Sequence, residues 1–304
     1  KEQYPDKAAL ENASTLPLNE ISATELSDDT SIFGAVGSPT WVNNIFTLDL
    51  NREQILIKDL PVDKSVAMMV DYLENKNLFL GSDNEQNKLI KRGAARSKNK
   101  IGSFWIVPEI IGSEIRPVSL EIMGRAIQLA DHTNTNLECV LIGNRLEKHF
   151  STLTAYGADK IFLAEDLCFS QFDVEFYTEI LQDLIFTHNP FSLLIPSTIN
   201  GRDLASRLSA RVGIGLTGDC IGLEIDEQNR LVALKPAFGG NVVAPIISKT
   251  LPQMVTIRPG VFTKVTPDWS IKPQLQNIKS SSTRKNSRVE IIQQFSDKTV
   301  LNSS

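Results

Sequence analysis

The sequence contains no uninterrupted apolar run near the roughly 18 residues that a membrane-spanning helix needs, so no helical membrane span is expected. Its first residues, KEQYPDKAALENAS, lack the apolar core of a secretory signal, and the chain does not open with Met; a fragment or processed product is expected, at home in the cytoplasm. Cysteine is scarce. Cys139, Cys168 and Cys220 are odd in number and widely spaced, which fits neither a disulfide framework nor a metal knuckle; small buried apolar residues in a reducing compartment are expected instead. Histidine is equally scarce: His132, His149 and His188 fall on or beside predicted helices, as surface or capping residues rather than catalysts. An excess of positive charge is also missing, since 31 Lys and Arg stand against 36 Asp and Glu, a net charge of −5 that excludes the basic footprint of nucleic-acid binding. What is present is an ordinary globular composition, 41% hydrophobic and 22% charged, in 304 residues that suffice for one large domain or two modest ones.

The chain opens on a polar, acid-rich stretch over residues 1–31. Residues 41–58 (WVNNIFTLDLNREQILIK) alternate enough to predict two extended segments around Asn51-Arg52, a short hairpin. A helix is predicted over 61–80, with Val66, Met69, Val70 and Leu73 on one face, and a polar, basic linker over 81–100.

Beyond the linker the rhythm changes. Short apolar strands are predicted at 103–107 (SFWIV), 137–142 (LECVLI), 160–163 and 192–196 (SLLIP). Helices are predicted between and after them at 119–131, 146–155, 174–188 and 204–212. Strands apolar on both faces that alternate with helices define an α/β fold, doubly wound around a mainly parallel sheet. After Cys220 the pattern turns to extended segments at 221–225, 231–235, 242–247 and 254–257, and residues 280–288 (SSSTRKNSR) form a second polar linker.

In an open parallel sheet, ligands sit beyond the C-terminal ends of the strands. Pro196-Ser197-Thr198-Ile199-Asn200-Gly201-Arg202-Asp203 occupies such a place, with capping residues, a glycine that admits close backbone approach, and the guanidinium of Arg202 near a helix start. The same stretch reads equally as a well-capped helix whose Arg202 and Asp203 hold neighbouring loops. Gly239-Gly240-Asn241, between two extended segments, predicts a tight turn with positive φ. Arg258, in the Ile257-Arg258-Pro259-Gly260 turn, is a candidate flavin or phosphate contact.

Taken together and in order, GRDLASRLSARVGIGLTGDCIGL, ALKPAFGGN and LPQMVTIRPGVF resemble the alpha subunit of electron transfer flavoproteins. FWIVPE, PVSLEIMGRAIQLAD and YGADKIFLAED share the family's character, so the resemblance covers 101–262. Ser206 stands where the family usually has proline and Gly218 where it has alanine. Pro17-Leu18, then Gly37-Ser38-Pro39-Thr40-Trp41-Val42 and the helix after it, look like the C-terminal arm of the beta subunit of the same flavoproteins. The resemblances imply a beta-like arm and linker over 1–100, the alpha first domain over 101–266, and over 267–304 a linker and the start of a further domain. The whole reads as part of a beta–alpha fusion.

The family resemblance implies an electron carrier rather than an enzyme. Such a carrier takes electrons from acyl-CoA-type dehydrogenases, as in fatty acid beta-oxidation, and passes them to a quinone-linked or flavoprotein acceptor through FAD. It also implies that FAD is held mainly by a second alpha domain opening with a Ser-Gly-Gly-Arg-Gly-type segment, and that AMP or a second FAD belongs to the beta part. No such segment follows Arg288, so both principal nucleotide sites are expected to lie outside this chain. Arg202, Gly239, Gly240, Asn241 and Arg258 are then candidates for a polar rim near a flavin held elsewhere. Two alternatives stand: a cofactor-free interaction scaffold, and an adenine-nucleotide-binding domain. The second would want a Gly-rich phosphate loop after the first strand, where IVPEIIGSEIRP stands instead.

Overall fold

The computed structural model describes residues 6–47, 55–75, 102–112, 114–240, 242–278 and 292. Asn51-Arg52, the linker expected over 81–100, Asn241 and the polar stretch 280–288 lie outside the described residues. The chain divides into two compact units, Lys1–Ser38 and Pro39–Ser304. In the first, α1 (Lys7–Ser14) starts where the Asp6 carboxylate accepts from the Ala9 amide, and α2 (Ala23–Leu26) and α3 (Gly34–Gly37) follow as single turns. None of these helices buries a side chain.

The second unit opens with β1 (Thr40–Val42), β2 (Phe46–Thr47) and α4 (Val62–Asn75). The helix forms within the predicted span, but none of its side chains is buried, and Val66 and Met69 are more than half exposed. The α/β part then runs β3 (Phe104–Ile106), β4 (Ile110–Ile111), β5 (Glu114–Ile115), α5 (Pro117–Thr133), β6 (Leu137–Gly143), α6 (Phe150–Ala155), β7 (Lys160–Glu165), α7 (Val174–His188), β8 (Ser192–Pro196), α8 (Ile199–Val212) and β9 (Leu216–Cys220). It closes with β10 (Gly222–Ile225), β11 (Leu231–Ala237), β12 (Val242–Ser248), β13 (Gln253–Ile257) and β14 (Leu275–Asn277).

Seven strands form one parallel sheet in the order β14-β7-β6-β3-β8-β13-β9. Alternation within β3 explains the two layers around it. Phe104 and Ile106 face the core shared with α5, whereas Trp105 and Val107 face the core shared with α7 and α8. Full burial of each Leu, Ile or Phe contributes about 1.5–3 kcal/mol, so these two layers carry most of the stability. The long helices carry their own stop signals, ending at Asn134, Asn189 and Gly213 in the left-handed conformation.

Residues 254–257 are extended as predicted; as part of β13, whose five residues are all buried, they lie in the parallel sheet between β8 and β9 and not with the other extended segments. Leu216–Cys220, to which the sequence pattern assigns no element, is the edge strand β9. Of the cysteines, Cys139 and Cys220 are buried as expected, the Cys220 thiol being pushed up to about 12 by burial, but Cys168 is exposed on a short 3-10 turn. His149 is likewise buried rather than on the surface.

The remaining extended segments make an antiparallel sheet, β1-β12-β11-β10, with β2 also on β12. The extended segment predicted before Asn51 lies along β12 as β1 and β2, Trp41 opposite Ile247 and Phe46 opposite Val243, with the register slipping by one residue in between, whereas residues 55–58, from the segment predicted after it, form no strand. Arg125 of α5 ties this sheet to the main body by donating from Nε and Nη2 to the Leu223 carbonyl at 3.1 and 2.7 Å.

Candidate functional site

The C-terminal ends of β8, β13 and β9 meet at one corner. The chain leaves β8 at Ser197, whose amide donates to the Ile257 carbonyl at 2.7 Å, and the Thr198 hydroxyl caps α8 by accepting from the Gly201 amide at 3.0 Å. Both constraints fix the first turn of α8, so Arg202 reaches back and donates from Nε to the Ser197 carbonyl at 3.3 Å. Across the corner, the register of β9 against β13 shifts, and Asp219 takes the left-handed conformation at φ 61°. Asp is among the few residues that adopt it at low cost. Its amide donates to Thr256 Oγ1 at 2.9 Å, and its carboxylate accepts from Ser197 Oγ at 3.2 Å and from Arg258 Nε at 3.3 Å, with a second bond from Arg258 Nη2.

Arg258 holds the Asp219 carboxyl below the usual carboxylate range, and Ser197 and Arg202 act in the same direction. The exposed guanidinium of Arg258 pairs with this carboxylate, and the exposed Arg202 acts on it by charge without a direct bond.

Arg202 and Arg258 are therefore brought together through Ser197 and Asp219. Gly239 and Gly240 lie in the turn joining β11 to β12, both with positive φ (69° and 88°), as the glycines there predict. No hydrogen bond among the described residues ties that turn to the arginine corner. Asn241 lies outside the described residues. Asp219 escaped sequence reasoning; the signal that points to it is a lone acidic residue at the end of a short apolar strand, after Gly218.

A second concavity opens where the strand order reverses, between β3 and β8. A cavity of about 550 Å³ is walled by Val107, Ile142, Phe172, Ile195 and Leu204. At its mouth the Glu109 carboxylate accepts from Asn200 Nδ2 at 3.1 Å and pairs with Arg116 at 3.4 Å. Tyr177 donates its hydroxyl to the Ile142 carbonyl at 2.9 Å; burial, then the charge of Glu109, push its pKa well above the ordinary phenol value. Ile110–Ile111 and Glu114–Ile115 pair antiparallel as β4 and β5, and the Arg116 amide donates to the Glu109 carbonyl at 2.9 Å. The space after the first strand thus holds a hairpin in place of a glycine-rich phosphate loop.

The fold is an open doubly wound α/β one, with the arginine corner and one cavity at the C-terminal ends of its strands. Residues 104–289, well over half of the chain, match the electron transfer flavoprotein domain, and the chain belongs to that family. It is similar to the electron transfer flavoprotein subunit alpha of Clostridium acetobutylicum, 41% identical over 163 residues that cover 53% of this chain and 48% of that protein. Protein FixB of Rhizobium meliloti is 33% identical over 178 residues, covering 57% and 50%. The lactate dehydrogenase (NAD(+),ferredoxin) subunit LctC of Acetobacterium woodii is 36% identical over 179 residues, covering 58% and 43%. The chain spans about half the length of the curated relatives it matches. The family match begins at Phe104, so the arm before it lies outside the match. Among the described residues, no helix is long and apolar enough to cross a membrane.

Proposed function

We propose that this chain is the alpha-like component of an electron carrier and that its arginine corner faces an FAD whose main binding domain lies elsewhere in the parent protein. The observation that carries the reading is the shared ion pair. Asp219 accepts from both Nε and Nη2 of Arg258, which orients the guanidinium, and the exposed Arg202 beside the pair is the further cation that would meet an anionic cofactor. Bound FAD would supply the electron chemistry; the chain's own residues hold negative charge and fix orientation. Donors of the acyl-CoA dehydrogenase type and a quinone-linked or flavoprotein acceptor are part of the proposal. A lactate dehydrogenase, from the name of one relative, is the donor to test beside them.

The proposal extends to the arm. Residues 1–100 act as a beta-subunit-like tail fused to the alpha-like domain, with AMP or a second FAD belonging to the beta part. Support comes from β1 and β2, which follow Gly37-Ser38-Pro39 and lie hydrogen-bonded along β12. A covalent linker would keep such neighbours at high effective concentration.

The test is a visible spectrum of the purified chain before and after excess FAD, with desalting between. Retained flavin absorbance would mean that this chain forms a usable site by itself, with affinity then lowered about tenfold or more in Arg258→Ala, since a hydrogen bond to a charged group contributes about 1.5–3 kcal/mol. Full retention in both Arg258→Ala and Arg202→Ala would remove the corner from the flavin site. A colourless chain would favour the cofactor-free scaffold.

A further inference from the structure

The cavity between β3 and β8 has chemistry opposite to the arginine corner. Among the described residues Glu109 is the sole charged one lining it, and Arg116 pairs with its carboxylate at the mouth. An ionised carboxylate offers about four acceptor positions, and Asn200 and Arg116 use one each. Tyr177 spends its only proton on the Ile142 carbonyl, so its oxygen too is presented as an acceptor. Around these groups the walls are aliphatic and aromatic, with the Phe172 and Tyr177 rings edge to face at 4.9 Å. A volume of about 550 Å³ lies within the range of small-molecule sites, and a strand-order reversal is where open α/β sheets place their ligands.

We infer that this cavity is a binding site for an unphosphorylated nucleoside, its hydroxyl donors on Glu109 and its planar base against the apolar walls. A carboxylate beside a strand end is well suited to a ribose diol. With that carboxylate already paired to Arg116, and with no glycine-rich cradle of amides, the cavity offers a phosphate no unpaired cation. The site is therefore independent of the flavin corner, and anionic nucleotides are excluded from it by charge rather than by size.

Calorimetric titration of the full chain with adenosine, and separately with AMP, tests this. Adenosine is expected to bind, and AMP at least about tenfold more weakly, the penalty of desolvating a phosphate where no unpaired cation meets it. Glu109→Gln is expected to weaken adenosine and narrow the gap to AMP. Ser170→Trp, at the exposed rim and outside the core, is expected to block adenosine while leaving the circular dichroism spectrum unchanged, and it serves if the Glu109 variant folds poorly. Binding of AMP as tight as that of adenosine, adenosine binding untouched by Ser170→Trp, or no binding of either probe overturns the inference. None of these readouts involves flavin, so the inference can fail while the electron-carrier proposal stands.

Discussion

The arginine corner and the nucleoside-sized cavity stand on the same edge of one sheet and share the first turn of α8, yet they differ in every property that selects a ligand. Asn200 turns toward Glu109 and the cavity, while Arg202, two residues on, reaches back to Ser197 and the corner. At the corner, the side chains of Arg258 and Asp219 are 47% and 40% exposed; at the cavity, those of Arg116 and Glu109 are 30% and 12% exposed. The backbone brings both places to the strand ends, and only the second is a cavity among the described residues. The sign of the charge and its distance from water come from a handful of side chains, which is why a fold alone does not name a ligand.

The hardest blow to both places at once is Gly201→Ala. A Cβ there would stand 1.9 Å from the Pro196 carbonyl oxygen, so α8 would have to lift from the end of β8. A loss of about 3 kcal/mol is expected from such overpacking, read as a lowered urea midpoint. A loss below about 1 kcal/mol, within the range of ordinary surface substitutions, would mean that the shared turn is free to shift and that the two places are not built on a common rigid element.

A smaller effect sharpens the contrast, because the same chemical change can be made on each side. Glu109→Gln removes a charge whose side chain is 12% exposed and leaves Arg116 without its partner, costing about 1–3 kcal/mol. Asp219→Asn keeps a residue that tolerates positive φ and breaks a pair open to solvent, so it costs less than about 1 kcal/mol. Equal losses would erase the difference in solvation between the two places.

Much of this edge was legible in the sequence. Strands apolar on both faces, such as 192–196, could be nothing but the inside of a covered sheet, and the capping residues at 197–200 marked a helix start beyond a strand end. Arg202 and Arg258 could be picked as candidates because one follows a strand and the other sits in a Pro-Gly turn. The link between them was not legible, since it runs through Asp219, more than a dozen residues from Arg202 and 39 residues from Arg258. Its left-handed backbone arises from a register shift that no local pattern records. Glu109 was hidden for a different reason: its meaning comes from where β8 and β3 adjoin, and strand order is a property of packing. The insertion of 253–257 beside β8 was missed on the same ground, because a short apolar run reads alike in either sheet.

Acid titration probes the smallest term and the most specific one. Arg258 lowers the folded-state pKa of Asp219, so the pair's contribution is fully present above the unfolded value near 4 and is lost as pH falls through the still lower folded value. The exposure of both partners keeps that contribution below about 1 kcal/mol and makes it sensitive to salt. The cost of Asp219→Asn should therefore hold steady from pH 7 to about 4, then shrink toward zero below it. Buried His149 titrates in a separate window: burial, then Lys148, depress its pKa, so its share of stability is lost as pH falls below about 6.5, in parent and variant alike. Urea midpoints of the two proteins, measured from pH 7 to 2.5 at low and high salt, isolate the carboxylate by difference. A difference that persists unchanged at pH 2.5 would mean that Asp219 acts through its backbone conformation rather than its charge. The corner would then no longer be the cationic, solvent-open counterpart of the cavity beside it.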